Sequence, residues 1–254
     1  MNKQSHRHHY IPQFYLNYFK NQKGLLEAYN KEADKFFTTT PKAVFVEDKR
    51  NTFVNEKNEE SVFIENVYSF LESKIATVFK NFEAKNELSI EDKRFLIFFA
   101  YISKWRSPAY DESFEIAKEK LSFADLRLHF GQLDLGIEYD LEELWNNEEM
   151  QAIKRILLAL QPFIYKEDYE DIFKNTILLY TPDEYSAIIG SCPFVENPNN
   201  PEVAFESFFI PVTPNYTLLY LRNENIKEFA EFWKENYRSI VPLFSNLRDL
   251  SYFG

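Results

Sequence analysis

Cysteine is almost missing from this sequence of 254 residues, in which Cys192 is the single example. One thiol excludes an internal disulfide and is typical of a reducing compartment. Long apolar runs are missing too. None approaches the roughly eighteen residues of a membrane span, and polar residues interrupt the first apolar ones in a way that argues against a secretory signal. We therefore expect a cytoplasmic protein that does not associate with membranes.

Glycine is scarce as well, with 5 residues. Folds that cradle phosphates in glycine-rich loops carry recognisable glycine patterns, because the backbone must approach the phosphate closely. The G-x-G-x-x-G, Walker-type and G-x-S-x-G patterns are all missing from the sequence. This argues against a nucleotide-binding fold of that kind and against a serine hydrolase.

Positive charge is in the minority, with 29 Lys and Arg against 40 Asp and Glu and a net charge of -11. No global field therefore attracts nucleic acid or an anionic membrane, and a nucleic-acid partner would need a local basic site. Apolar residues make up 45% of the chain and aromatic residues 18%, which is enough for a substantial core. The chain is expected to fold over most of its length.

Helical periodicity dominates residues 59–174. Ser89 followed by an acid at Asp92 predicts a capping box at the start of a buried helix, and Pro108 favours its end. Apolar residues at intervals of three and four predict the other helices. The predicted helices cover residues 60–82, 93–104, 109–128 and 141–160.

Strand character is confined to the two ends of the chain, residues 1–58 and 175–254. The predicted strands cover residues 25–30, 35–40, 176–181, 185–190, 207–212 and 217–221, and a last amphipathic helix is predicted over 224–237. The fold class that we predict is α+β. It is a single domain over 1–254 with a mainly helical body and a small antiparallel β-sheet built from N-terminal and C-terminal strands.

Three of the four histidines, His6, His8 and His9, lie within four positions near the start of the chain. An aromatic run follows directly, and it begins with Tyr10. We expect these rings to dock the histidine segment against the helical body, so that the imidazoles are held in place.

The stretch His8-His9-Tyr10-Ile11-Pro12-Gln13-Phe14-Tyr15-Leu16 resembles the opening signature of a bacterial family of unknown function, and the chain is DUF4238-like in this respect. The resemblance extends to Arg106-Ser107-Pro108, to residues 188–195 and to residues 210–214. Cys192 stands where the family usually carries an aspartate. The resemblance implies the fold and the location of a site. Members of such families are often bacterial defence or mobile-element proteins, so it also implies that setting.

A functional interpretation gathers the histidine segment and three charged residues of the helical body into one pocket. Imidazoles and carboxylates suit a divalent metal such as Zn, Mn or Mg, and an arginine suits a phosphate group. The predicted metal ligands are His6, His8, Glu65 and Glu72. The predicted catalytic residues are His8, His9 and Arg106. The function expected from this set is that of a metal-dependent phosphodiesterase or nuclease of a bacterial defence system.

A second interpretation makes the same pocket a non-catalytic module that binds a ligand or a protein. His9 would then hydrogen-bond only to buried carbonyls, and Arg106 would be engaged by Glu65 or Glu72 or would cap its helix. Metal bound at His8 or His9 with carboxylates in contact would favour the enzyme. The partners expected are a nucleic acid through a local site or a protein.

Overall fold

A computed structural model of the chain describes residues 7–54, 60–61, 63–85, 88–121, 146, 148–164, 166–182, 187, 189–196 and 207–222. The helices are α1 (Gln13–Leu16), α2 (Phe63–Lys85), α3 (Ile90–Arg106), α4 (Asp111–Lys120), α5 (Glu148–Leu160) and α6 (Lys166–Lys174). The strands are β1 (Arg7–His9), β2 (Leu26–Asn30), β3 (Lys35–Thr39), β4 (Val46–Asp48), β5 (Phe53–Val54), β6 (Glu60–Ser61), β7 (Thr176–Tyr180), β8 (Val195–Glu196), β9 (Phe208–Thr213) and β10 (Tyr216–Tyr220). Short 3-10 turns follow α1, β3, α3 and α5.

Helix α3 lies in the core, and both of its ends follow the sequence signals. The Ser89 hydroxyl accepts the Asp92 backbone N–H at 3.0 Å, and the Asp92 carboxylate accepts the Ser89 N–H at 3.2 Å, which completes the predicted capping box. Every residue from Leu96 to Arg106 is buried. The helix ends at Arg106 because Pro108 holds Ser107 in an extended conformation.

The histidine segment is docked as the aromatic run predicts. Strand β1 pairs antiparallel with β4, and the Tyr10 N–H donates to the Phe45 carbonyl at 3.0 Å. The rings of α1 then pack between α2 and α3. The Tyr15 ring, for example, lies 6.1 Å from Phe79 and 5.1 Å from Phe99 between centroids. The segment that carries His8 and His9 is therefore part of the core.

The strands are antiparallel, and the two ends of the chain form separate sheets in the described residues. C-terminal strands form a four-stranded sheet in the order β7-β10-β9-β8, and the N-terminal strands pair as β1-β4, β2-β3 and β5-β6. Side chains connect the C-terminal sheet to the body. The Tyr15 hydroxyl donates to the Pro211 carbonyl, and Lys104 pairs with Glu196 at 2.7 Å. The predicted α+β class, with a helical body and small antiparallel sheets from both ends, is confirmed.

Several segments differ in the structure from the predictions. Residues 60 and 61 of the predicted helix 60–82 form strand β6, and Leu121 of the predicted helix 109–128 lies beyond the end of α4 in extended conformation. Residues 166–174 form helix α6, where the sequence pattern is mixed, because buried Ile172 and stacked Tyr169 and Phe173 give the segment one apolar face. Residues 187, 189 and 190 of the predicted strand 185–190 are not in a strand. The predicted helix 224–237 and residues 122–145 lie outside the described residues. No helix within the described ranges has the length and apolar character needed to cross a bilayer.

Candidate functional site

His8 lies on the inner face of β1 and is 1% exposed. Its Nδ1 accepts the backbone N–H of Asn51 at 2.9 Å, and the Asn51 side-chain amide donates to Glu65 on α2 at 2.7 Å. Asn51, which the sequence pattern does not reveal, thus links two predicted site residues, His8 and Glu65. Because Nδ1 accepts a hydrogen bond, neutral His8 carries its proton on Nε2.

His9 is half-buried, and its two ring nitrogens differ. The Gln13 side-chain nitrogen lies 3.3 Å from Nδ1, whereas Nε2 is buried with no hydrogen-bond partner among the described residues. Burial is the main cause that lowers the pKa of His9. Hydrogen bonding to the backbone of Pro41 and of Lys42 raises this pKa, although neither contact at Nε2 has full hydrogen-bond geometry.

Arg106 and Glu72 act electrostatically on His9, since the guanidinium lowers its pKa and the carboxylate raises it. Arg106 is the last residue of α3 and is 2% exposed. Its Nη1 donates to the Glu72 carboxylate on α2, as the second interpretation of the sequence anticipates. Its Nε is buried and has no partner in the part of the chain that the structure describes.

Tyr68 is a site residue that the sequence reasoning missed. The Arg106 guanidinium stacks on its ring, with 4.3 Å from Cζ to the centroid. Its hydroxyl is buried and has no hydrogen-bond partner within the described residues, and burial raises the pKa of Tyr68. A sequence signal did exist, because Glu65, Tyr68 and Glu72 are spaced by three and four residues and so share one face of α2.

We call His9, Tyr68, Glu72 and Arg106 the His9–Arg106 cluster. The His9 Nε2, the Tyr68 hydroxyl and the Arg106 Nε form what we call the donor triad, since each can donate a hydrogen bond. Buried polar groups nearly always have partners, so each of these three exceptions in one electrostatic neighbourhood could bind an added acceptor. A carboxylate or phosphate oxygen fits that description, and the half-buried His9 and the 25% exposed side chain of Glu72 leave the cluster a solvent-facing side.

The predicted metal ligands are arranged differently from a metal centre. His6 lies outside the described residues. One acceptor atom of each of the other three is already engaged, since His8 Nδ1 and one Glu65 oxygen accept from Asn51 and one Glu72 oxygen accepts from Arg106. No three His, Cys, Asp or Glu side chains in the described ranges are grouped closely enough to hold an ion. Metal ligation by these residues stays a prediction.

Cys192, which stands where the resembled family usually has an aspartate, is partly buried in the loop before β8. Its Sγ donates to the Phe194 carbonyl at 3.0 Å. This contact fits a structural thiol that is held by its own loop.

The structure therefore defines an α+β protein with a histidine–arginine cluster built from its N-terminal strand and two central helices. A family model described as protein of unknown function, DUF4238, matches residues 7–242. The chain belongs to this family. The matched range contains every described residue of the cluster. Neither a characterised protein nor a solved structure matches the chain.

Proposed function

We propose that the His9–Arg106 cluster binds a phosphate group of a nucleic acid and that the protein hydrolyses a phosphodiester bond there. The observation that carries the proposal is the donor triad. Three buried donors, one of which is the Nε of the Arg106 guanidinium, suit an oxyanion, which offers several lone pairs within a small volume. The fixed positive charge of Arg106 favours an anion over a cation at this place.

The net charge of the chain is unfavourable for anion binding, so the positive charge that favours an anion must be local to the cluster. The net charge of -11 repels a polyanion at long range, so binding must come from contacts at the cluster itself. Arg106 is desolvated, and a hydrogen bond from a buried guanidinium to phosphate is stronger than one in water. The substrate would reach the cluster from the side of His9 and Glu72.

His9 is the group in the cluster that is suited to proton transfer. Its lowered pKa leaves the imidazole neutral at neutral pH, as a general base requires. The Gln13 amide can serve either tautomer, because its nitrogen donates to a bare Nδ1 and its oxygen accepts from a protonated one. Turnover needs the tautomer with the proton on Nδ1. Nε2 then takes a proton from the attacking water, while the Tyr68 hydroxyl and the Arg106 Nε remain to hold the phosphate. The new P–O bond then forms as the bond to the leaving oxygen breaks, and that oxygen receives the proton from His9.

A metal-dependent form of this reaction is the narrower proposal that follows from the sequence. His8, Glu65 and Glu72 would hold the ion after release from Asn51 and Arg106, and the ion would supply Lewis-acid stabilisation of the phosphate. Zn, Mn and Mg are the ions to test. The hydrolysis described above does not depend on them.

A non-catalytic binding module is the second candidate, and the internal contacts favour it. Arg106 is engaged by Glu72, and His8 is tied through Asn51 to Glu65. A pocket that is fixed in this way can hold an anionic ligand without turning it over. The two candidates share a ligand class and differ in product formation.

The test combines binding and turnover. Purified protein is assayed against single-stranded and double-stranded DNA and RNA, with added Mg, Mn or Zn and with a chelator. The variants are His9→Gln, Tyr68→Phe and, as the control, Glu112→Gln at an exposed position of α4. We expect His9→Gln to lower turnover by about 100-fold or more and Tyr68→Phe to weaken phosphate binding by about tenfold. Full turnover in His9→Gln rejects the catalytic assignment. Phosphate binding without turnover of any substrate selects the second candidate.

Metal content is measured on the same preparations. A His8→Ala, His9→Ala double variant that keeps the metal content of the wild type rejects ligation by these histidines. Melting temperatures of both proteins are compared, because loss of folding would mimic loss of binding.

The cellular setting is also part of the proposal. Low cysteine content and an acidic balance fit the cytoplasm, and the family resemblance suggests bacterial antiviral defence. The test is phage plating on cells that express the wild type or His9→Gln. Equal plating on cells with and without the wild type contradicts a defence role.

A further inference from the structure

Two arginines hold the C-terminal end of α3, where the backbone carbonyls have no partner within the helix. The Arg50 Nε donates to the Arg106 carbonyl at 3.1 Å, and the Arg155 Nη1 donates to the Trp105 carbonyl at 2.8 Å. Arg50 comes from the turn after β4, and Arg155 comes from α5. Two elements distant in sequence thus hold the backbone of the residue that carries the guanidinium of the cluster.

Asp111 joins the two arginines. It is the first residue of α4, and its carboxylate accepts both terminal nitrogens of Arg50, at 2.6 and 3.2 Å. Arg155 reaches the same carboxylate at 2.9 Å. Arg50 also pairs with Glu47 at 2.6 Å, so Asp111 is the carboxylate that the two arginines share.

We infer that Asp111 is a positioning residue which, through Arg50 and Arg155, fixes the backbone of Trp105 and Arg106 and so aims the Arg106 guanidinium at a bound phosphate. The inference rests on the proposed function, and it adds a residue that does not touch the substrate. We call Arg50, Asp111 and Arg155 the Asp111 clamp.

The chemistry of the clamp explains why arginine occupies both arms. Arg50 binds the Arg106 carbonyl through Nε and the carboxylate through both terminal nitrogens, which needs the several donors of a guanidinium. Arg155 contacts the Trp105 carbonyl and the carboxylate through Nη1, within the planar geometry of its guanidinium. An isolated surface ion pair contributes little, whereas two arms that share one carboxylate restrain one another.

The Asp111 carboxylate compensates the repulsion between the positively charged arginines around it. Arg50, Arg106 and Arg155 all act on Tyr68, so three guanidinium groups lie around one phenol. Burial is the main cause that lowers the pKa of Arg155. Asp111 raises this pKa, and Arg50 lowers it because the two guanidinium groups repel one another. Removing the Asp111 charge leaves this repulsion uncompensated beside Arg106.

In a competing account Asp111 is a placeholder, by which we mean a carboxylate that binds Arg50 and Arg155 in place of a phosphate. Its side chain is 43% exposed, and the two arginines could themselves bind phosphate. The two accounts predict opposite effects of neutralising Asp111. If Asp111 is a positioning residue, phosphate binding depends on it, so neutralising Asp111 weakens phosphate binding. A placeholder competes with phosphate, and its neutralisation strengthens binding.

The test uses the full chain with 15N-labelled arginine and inorganic phosphate as the ligand. The Nε–H signal of Arg106 is assigned by its loss in Arg106→Lys. Asp111→Asn removes the charge and keeps the shape, Arg155→Lys removes one arm, and Glu112→Gln is the neighbouring control. We expect hydrogen exchange at the Arg106 Nε to rise about tenfold and the Kd for phosphate to rise about tenfold in Asp111→Asn, with a smaller change in Arg155→Lys.

Each result decides the question. Unchanged exchange at the Arg106 Nε in folded Asp111→Asn overturns the inference, and tighter phosphate binding in that variant supports the placeholder. Faster exchange in a protein whose wild type binds no phosphate rejects the proposed function and keeps the positioning role. If Asp111→Asn does not fold, judged by circular dichroism, the same readouts on Arg155→Lys decide.

Discussion

Tyr68 carries a hydroxyl that is buried beneath Arg106 without a partner among the described residues. Leaving such a group unsatisfied costs about 1–3 kcal/mol, a large share of the stability of a typical domain. A phenylalanine would fill the same space without that cost. Groups that lower the stability of a protein and make no stabilising contact are concentrated at functional sites. The Tyr68 hydroxyl is therefore best explained by a ligand that it binds.

Tyr68→Phe should therefore leave the free energy of unfolding unchanged or raise it by up to about 1 kcal/mol, because the variant removes a group that is not hydrogen-bonded. The matched control is Tyr15→Phe. The Tyr15 hydroxyl donates to the Pro211 carbonyl, so its loss should lower the free energy of unfolding by about 1 kcal/mol. Urea denaturation measures both. A Tyr68→Phe variant as unstable as Tyr15→Phe would show that the Tyr68 hydroxyl has a partner.

His9 gives the stability of the protein a specific pH dependence. Its folded-state pKa is below the ordinary value of 6.5, so below that pH the unfolded chain binds the proton more readily. The contribution of His9 to stability is present above pH 6.5 and is lost as the pH falls through the lowered pKa. Between pH 7 and 5, melting temperatures should fall less steeply for His9→Gln than for the wild type. Equal pH dependence of the melting temperature in the wild type and in His9→Gln would mean that the pKa of His9 is the same in the folded and unfolded states.

Sequence reasoning found the charged members of the site and missed the groups between them. His8, His9, Glu65, Glu72 and Arg106 stand out by residue type. The structure places them in two groups, with His8 joined to Glu65 through Asn51 and with Arg106 paired to Glu72 in the electrostatic neighbourhood of His9. Asn51 escaped notice because its link to His8 crosses 43 residues of chain, and a lone asparagine in a turn carries no signal. The clamp could not be foreseen for the same reason, because its arms converge only in three dimensions.

At the scale of the element, α3 is the helix on which the site depends, since Arg106 is its last residue. Its start and end could be read from the sequence because both signals are local. The capping box is formed by side chains three residues apart, and the stop comes from a proline two positions after the last residue. Pairing of strands depends on distant residues, which is why the separation of the N-terminal and C-terminal sheets was not predicted.

Ser89→Ala tests the start of this helix. The variant removes the hydroxyl that accepts the Asp92 N–H, and it should lower the free energy of unfolding by about 1 kcal/mol. Ser73→Ala in α2 is the control, because that exposed hydroxyl only bonds back to the carbonyl of Phe70 and alanine favours a helix. Thermal unfolding of the two variants gives the comparison. Equal loss of stability in both would contradict the role of the cap.

At the scale of the whole molecule, the N-terminal segment and the helical body form one core. The ring of Phe79 on α2 shows this, because it packs against rings of the N-terminal segment and of α3. These are Phe14, Tyr15, Tyr18 and Phe99. The family match beginning at residue 7 includes this segment. His8 and His9 are therefore held by the same packing that stabilises the fold.

Phe79→Ala should lower the free energy of unfolding by about 3–5 kcal/mol, because it opens a cavity where the segment meets α2 and α3. Phe70→Ala lies on the same helix, and its side chain is 61% exposed, so it should change stability by about 0.5 kcal/mol or less. Denaturant titrations of the pair measure the difference. A small effect of Phe79→Ala would mean that the N-terminal segment is not part of the core.

Binding of an oxyanion by the donor triad is the central claim, and the imidazole of His9 reports on it directly. Protein labelled with 15N-histidine is titrated with inorganic phosphate at neutral pH while the ring nitrogen signals are recorded, with the His9 signals assigned through His9→Gln. The account predicts a saturable shift of the His9 Nε2 signal, with about tenfold weaker affinity in Tyr68→Phe. A His9 signal that does not move while the protein stays folded, or that moves equally in Tyr68→Phe, would contradict it.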